Sequence, residues 1–198
     1  MKDFEVIPEE LESYSLFLVR IPKALNKKLL DSIFKDLARS GRIFSFERLI
    51  KGEKGALVLF GPDSLMSKYK DSLNLLEIED YTNISLDQVS GWEMGIKTLY
   101  PKEVKGYFKK FPKLLSDEQF FWQVIISEGV QIRAVLICKD LLRRRELTNI
   151  LQNLSPHLKK TQRNFSSTQI IDFYKKRSFS EENKFLFNSS DILHLLAI

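Results

Sequence analysis

Between Ser15 and Tyr81 the hydrophobic and polar positions change period repeatedly, and the order they predict is strand, helix, strand, strand, helix, strand. Ser15 to Ile21 is almost wholly apolar, as a buried strand is, and Pro22 ends it. From Asn26, a good N-cap, Leu29/Leu30, Ile33/Phe34 and Leu37/Ala38 recur every four residues as one helical stripe, which Gly41 closes. Arg42 to Ile50 and Lys54 to Phe60 flank Lys51-Gly52-Glu53 and read as a hairpin. A short helix through Leu65, Met66 and Tyr69 follows Gly61-Pro62-Asp63, and Leu75 to Tyr81 supplies the last strand.

Something close to this order returns between Val89 and Phe173. Val89 to Leu99 alternates loosely and carries Gly91 and Gly95, which fits a strand with a bulge or a close backbone approach. Val104, Tyr107, Phe108 and Phe111 have helical spacing ahead of Pro112. Phe120 to Ile126 and Ile132 to Cys138 form a second hairpin through Glu128-Gly129, and Asp140 caps a helix with the stripe Leu147, Ile150, Leu151 and Leu154. Ser155 to Ser167 reads as a loop and Thr168 to Phe173 as the fourth strand. The predicted class is therefore α+β: two consecutive ferredoxin-like (split βαβ) units, residues 1–83 and 84–198, with antiparallel sheets and helices on one face. That order serves many functions and fixes none. After an N-cap cluster at Asn188-Ser189-Ser190-Asp191, Ile192 to Ile198 begins a further helix. Its Leu195, Leu196 and Ile198 offer apolar surface, either for docking onto a partner or for packing on their own domain.

Charge divides the chain unevenly. Residues 1–98 carry 14 Lys and Arg against 16 Asp and Glu, whereas residues 99–198 carry 17 against 10, so the formal charge of +5 belongs to the second half. Arg143-Arg144-Arg145 opens the helix after Asp140, with Arg133 and Lys139 ahead of it and Lys159, Lys160 and Arg163 behind it. Lys102, Lys105, Lys109, Lys110 and Lys113 decorate the preceding helix. Such groups either neutralise phosphates without reading bases or form an ordinary solvated face.

Few residues combine into chemistry. The single cysteine, Cys138, excludes an internal disulfide framework; in its apolar run it reads as a small core residue in a reducing compartment, the alternative being a reactive thiol. His157 and His194 lie far apart without neighbouring ligands, so no metal site is expected. Glu77, Glu79 and Asp80 form either a cation site or, more simply, a solvated acidic corner. No phosphate-cradling glycine motif and no nucleophile elbow occurs, so neither a cofactor nor catalysis is expected. Lys54-Gly55 begins like the signature strand of an RNA-recognition motif, but Ala56 and Val58 stand where stacking rings belong, which argues against base readout there. Met1 to Glu5 lacks the apolar core of a signal peptide, and no stretch approaches the ~20 apolar residues of a spanning helix.

Four stretches, in order, resemble a known group. Leu16-Phe17-Leu18-Val19-Arg20-Ile21-Pro22 is similar to the "L-x-[IV]-R-I-P" strand ahead of the motor in bacterial type IV secretion or conjugative DNA-transfer ATPases. Glu77-Ile78-Glu79-Asp80-Tyr81-Thr82 resembles their "E-[IV]-E-D-Y" strand end, and Ser116 to Ile126 their "G-E-Q-x-W-x-Q-x-[IV]-[IV]". Phe185 to Leu196 resembles their "F-x-L-N-[ST]-E-E-L-A-T-L-[FW]-H", with Ser190-Asp191 in place of two acids and His194 shifted from the final histidine. Members of the group continue into an ATPase with a phosphate-binding loop, and many begin with membrane-spanning segments; neither feature is found in this sequence. The resemblance implies a non-catalytic docking or assembly module, the accessory region without its motor. Its expected partner is a motor ATPase, a secretion-complex subunit or a second copy. The expected location is cytoplasmic, with membrane association only through a partner. The alternative is a sequence-independent nucleic-acid-binding protein that uses the basic second half.

Overall fold

The apolar run after Ser13 forms β1 (Tyr14–Val19), and a 3-10 turn at Pro22–Ala24 leads into α1 (Lys27–Leu37). Asn26 caps α1 by accepting from the Leu29 amide at 3.1 Å, and the helix buries Leu30, Ile33 and Leu37. The hairpin β2 (Phe44–Lys51) and β3 (Lys54–Pro62) turns at Gly52, whose φ of +55° suits glycine, and α2 (Asp63–Leu73) returns the chain to β4 (Leu75–Ile78). The second half supplies β5 (Val89–Ile96), the hairpin β6 (Gln119–Ile126) and β7 (Val130–Ile137), and α3 (Leu141–Gln152). The Asp140 carboxylate caps α3 by accepting from the Arg143 amide at 2.6 Å. β8 (Leu158–Lys160), α4 (Ser167–Lys176) and α5 (Ser189–Leu196) complete the order. This computed structural model describes residues 13–37, 42–96, 108, 110–127, 129–155, 158–161, 165–179 and 188–196. The expected stop at Gly41 and most of the helix expected around Val104 and Tyr107 lie outside them.

The strands among the described residues join one eight-stranded antiparallel sheet in the order β4-β1-β3-β2-β6-β7-β5-β8. The two halves meet along β2 and β6, which pair from Phe44↔Ile126 to Lys51↔Gln119. Read outward from this seam, each half runs second, third, first, fourth strand. One face of the sheet carries Phe46, Leu59, Trp92, Trp122 and Ile132, and it buries them under α1, α2, α3 and α5. Phe111 and Phe120 extend this core with ring centroids 5.0 Å apart.

Three expectations change. The fourth strand of the second half is β8, inside the stretch read as a loop, whereas Thr168 to Phe173 lies within α4. A capping box explains the helix: Ser166 accepts from the Gln169 amide, and the Gln169 side chain accepts from the Ser166 amide. Secondly, the helices do not all share one face. Ile171 and Tyr174 of α4 pack on Val89, Phe121 and Val135, which point to the opposite side from Trp92, Trp122 and Ala134. Gly91 admits α4, since a Cβ there would sit 3.1 Å from the Ser167 carbonyl oxygen. Thirdly, Leu195 and Leu196 offer no docking surface. Both are fully buried, because α5 lays its apolar stripe against α1 and β6. Asn188 and Asp191 hold the start of α5 by accepting from each other's amides at 3.0 Å. Ile198 lies outside the described residues.

Candidate functional site

Strand direction places the exit of β7, the start of β5, the β2–β3 turn and the start of β6 at one end of the sheet, because Lys54, Lys51, Gln119, Ile137 and Val89 are successive cross-strand partners. The arginine run expected to bind phosphate begins there, on the first turn of α3. Its side chains are largely engaged with the protein. Arg143 donates from Nε to Glu118 at 3.2 Å, from Nη1 to Glu146 at 3.4 Å and from Nη2 to the Lys113 carbonyl at 3.1 Å. Arg144 donates to the Cys138 carbonyl at 2.7 Å. Lys139 and Arg145 are exposed.

Glu118 organises this end. It is buried, and it accepts from the Leu115 amide at 2.7 Å and from Arg143, so one carboxylate ties the loop ahead of β6 to α3. Cys138 Sγ lies 3.5 Å from the same carboxylate and is buried. Burial, with Glu118 beside it, pushes the thiol pKa up, which favours the unreactive protonated form.

Two of the other predicted cations do not join this group. Arg133 is 1% exposed and points to the opposite face. Lys160 on β8 pairs with Met94, whereas Lys139 follows Ile137, the partner of Val89; the two rows are about 17 Å apart along β5. The side chain of Lys159 and the whole of Arg163 lie outside the described residues.

Arg133 belongs instead to a buried polar row that crosses the seam. Glu47 on β2 stands opposite Gln123 on β6, Gln123 opposite Arg133 on β7, and Arg133 opposite Glu93 on β5. Arg133 donates to Glu93 at 3.5 Å, to Gln123 at 3.3 Å, to Gln131 at 3.1 Å and to the Phe173 carbonyl at 3.1 Å. Glu47, with no exposed surface, accepts from Ser45 at 2.7 Å, from Gln123 at 3.0 Å, from the Tyr81 hydroxyl, and from Arg177 Nε and Nη2 at 3.0 and 3.3 Å. Arg177 also donates to Asp80 at 3.0 Å, and the hydroxyls of Tyr81 and Tyr174 lie 2.7 Å apart.

The environment sets the protonation states in this row. Burial works against the Arg177 cation, but Glu47 and Asp80 outweigh it and hold its pKa above the ordinary value. Partial burial pushes the Asp80 carboxyl up, while hydrogen bonds from Arg177 and Thr82 outweigh that and leave it below its ordinary value. Burial and the Glu47 charge together push the Tyr81 and Tyr174 hydroxyls well up.

Arg177 also occupies the left-handed region, with φ of 49° and ψ of 36°, at the end of α4 where glycine is the usual residue. No local pattern in the sequence links Glu47 to Arg177, 130 residues apart. The motif Glu79-Asp80-Tyr81-Thr82 was the nearest signal, since it supplies Asp80 and Tyr81. Among the described residues no group of three or more His, Cys, Asp or Glu is placed to hold a metal ion; His157 lies outside them. Comparison with known proteins finds no family model that matches the chain and no curated protein similar to it.

We predict that Arg177→Ala lowers unfolding stability by about 3–5 kcal/mol, because Glu47 is left buried without its cation. Arg177→Gly should lose about 1 kcal/mol less than the alanine variant, since it relieves the left-handed backbone. Urea unfolding checks both; a glycine variant more stable than the parent would show that strain outweighs pairing.

Alkali gives an independent check. The folded-state pKa values of Tyr81 and Tyr174 are raised, so their contribution is complete below the unfolded tyrosine pKa of about 10 and is lost as pH rises through the folded values. Thermal melts should therefore fall steeply above pH ~10, and Tyr174→Phe should flatten that fall.

Proposed function

We propose that this chain is a non-catalytic docking and assembly module built from two consecutive ferredoxin-like units, and that it serves a DNA-transfer or type IV secretion apparatus. The observation that carries the non-catalytic reading is the saturation of its buried charge. Glu47, Glu93, Arg133 and Arg177 are turned toward one another and toward Gln123, Gln131 and Tyr81. A general acid or base needs a free valence aimed at a reacting atom, and Glu47 spends its oxygens on holding two halves of a sheet together. The matching outward strand order of the halves supports the duplication. The four ordered motifs in the sequence supply the link to the transfer ATPases.

On this reading the chain meets a motor ATPase, another subunit of the complex or a second copy of itself, on the cytoplasmic side. Nucleic acid is less favoured as a partner. Arg133 is buried, Arg143 and Arg144 are engaged within the protein, and Lys160 lies in a different row of the sheet from Lys139.

The test is co-expression with the motor domain of a DNA-transfer ATPase from the same genome, followed by size-exclusion chromatography. The expected outcome is a stoichiometric complex, together with no ATP hydrolysis by this chain alone. Separate elution from the motor, or turnover lost on a point substitution in this chain, would contradict the proposal.

A further inference from the structure

The sheet has a notch beside Val58. The pairing of β1 with β3 ends at Leu18↔Val58, whereas β3 begins four residues earlier, at Lys54 in the hairpin. The chain leaves the ladder at Arg20, whose amide donates to the Asn74 carbonyl at 3.3 Å, and Pro22 then carries it into the 3-10 turn. Among the described residues, the outer edge of β3 from Gly55 to Leu57 therefore carries no strand. Lys51 and Lys54 close the hairpin as a directly bonded pair, so the N–H and C=O of Gly55, one residue on, point away from β2 toward that open edge. Gly55 is exposed.

A cavity opens on each side of this edge, and Gly55 and Ala56 border both. One, of about 350 Å³, lies on the face under α1 and α5 between Pro22, Leu57 and Leu196. The other, of about 300 Å³, lies on the α4 face between Leu49, Tyr81 and Phe121. Successive side chains of a strand point to opposite faces, so a strand laid along Gly55 delivers adjacent side chains one into each cavity. The charge of the walls has a single sign. Lys23 and Arg48 line the first cavity and Lys51 and Lys54 the second, and among the described residues no carboxylate lines either. Arg48 is held in place, since it donates to the Leu196 carbonyl and its guanidinium lies 4.6 Å from the centre of the Phe108 ring. Beyond the walls, Glu53 pairs with Lys113 at 2.9 Å and Asp80 with Arg177 at 3.0 Å. Asp71, Glu79 and Asp117 are exposed there, as are Arg20, Lys27 and Lys70.

We propose that this notch docks an extended, acidic peptide segment of a partner protein, which adds to β3 as a strand in the row that β1 vacates. The backbone of Gly55 supplies the hydrogen bonds of strand addition, and the two cavities take neighbouring apolar side chains of the segment. Acidic residues before and after that apolar pair meet Lys23 and Arg48 on one face and Lys51 and Lys54 on the other. A phosphate chain would meet the cations but would leave the Gly55 edge and the apolar walls unused. A flat bilayer would not enter a concave site between two faces of a sheet. The inference stands on the geometry of this edge and does not depend on which apparatus the chain serves.

The test is an NMR titration of the isotope-labelled full chain with a short peptide in which two central leucines are flanked on each side by glutamates. In the free protein the Gly55 amide should exchange rapidly with solvent. The peptide should shift the amides of Gly55 to Leu57 saturably and slow the exchange of Gly55. Gly55→Pro should abolish these effects with little change in melting temperature, because proline is tolerated where a strand edge is open. Lys23→Glu/Lys54→Glu should weaken binding about tenfold or more. A Gly55 amide already protected without peptide would assign the notch to this chain's own residues and overturn the proposal. The same shifts produced by raising the protein concentration alone would assign it to a second copy. Equal binding of a peptide of glutamates without the leucines would reduce the site to charge and overturn the proposal, as would the absence of any shift at Gly55.

Discussion

A carboxylate without exposed surface, Glu47, sits on the strand where the two halves of the molecule join, and the architecture follows from the need to satisfy it. An unpaired buried carboxylate costs several kcal/mol, so each of its neighbours is a condition for the fold. The row Glu47, Gln123, Arg133 and Glu93 lies straight across strands β2, β6, β7 and β5, which makes it a register device. A slip of one residue at the seam would turn Glu47 into the apolar layer beneath α1 and α5. Hydrophobic pairs could weld the same strands with similar stability, but they would accept neighbouring registers more readily.

The same constraint explains why α4, among the described residues the only helix on its face, packs there. The helix brings Tyr174 over Phe121 and ends at Arg177, whose guanidinium closes the row from above and reaches Asp80 in the linker between the halves. An arginine in the left-handed region is unfavourable by itself; here the side chain is required at that point and the backbone conforms. The linker, the seam and the helix thus share one hydrogen-bonded centre. The opposite face is an ordinary apolar layer under α1, α2, α3 and α5, and it places no comparable demand on register.

Much of this was legible in the residues. Strand and hairpin positions follow from apolar runs bounded by Gly52 and Gly129, and α1 and α3 from Asn26 and Asp140 ahead of their stripes. The rest was hidden for physical reasons. α4 is short and follows a polar stretch, so its capping box at Ser166 and Gln169 is easily outweighed by the β-like run Ile170-Ile171. In the sequence Arg133 is indistinguishable from a surface cation, because charge in a sequence carries no burial; only pairing of β7 with β5 and β6 puts it inside. Leu195 and Leu196 were ambiguous because an apolar helix face reads alike whether it meets its own core or a partner. The seam itself had no local signal, since it joins residues as far apart as Glu47 and Gln123.

The central claim is that the buried row makes the two halves one cooperative sheet. Native-state amide hydrogen exchange tests it most directly, comparing β2 with β6 in the parent chain and in Glu47→Gln. The account predicts that both strands open with free energies equal within about 1 kcal/mol and that the substitution lowers them together. Exchange in which β6 keeps its protection while β2 loses it would show halves that fold independently, with the row as a mere contact between them.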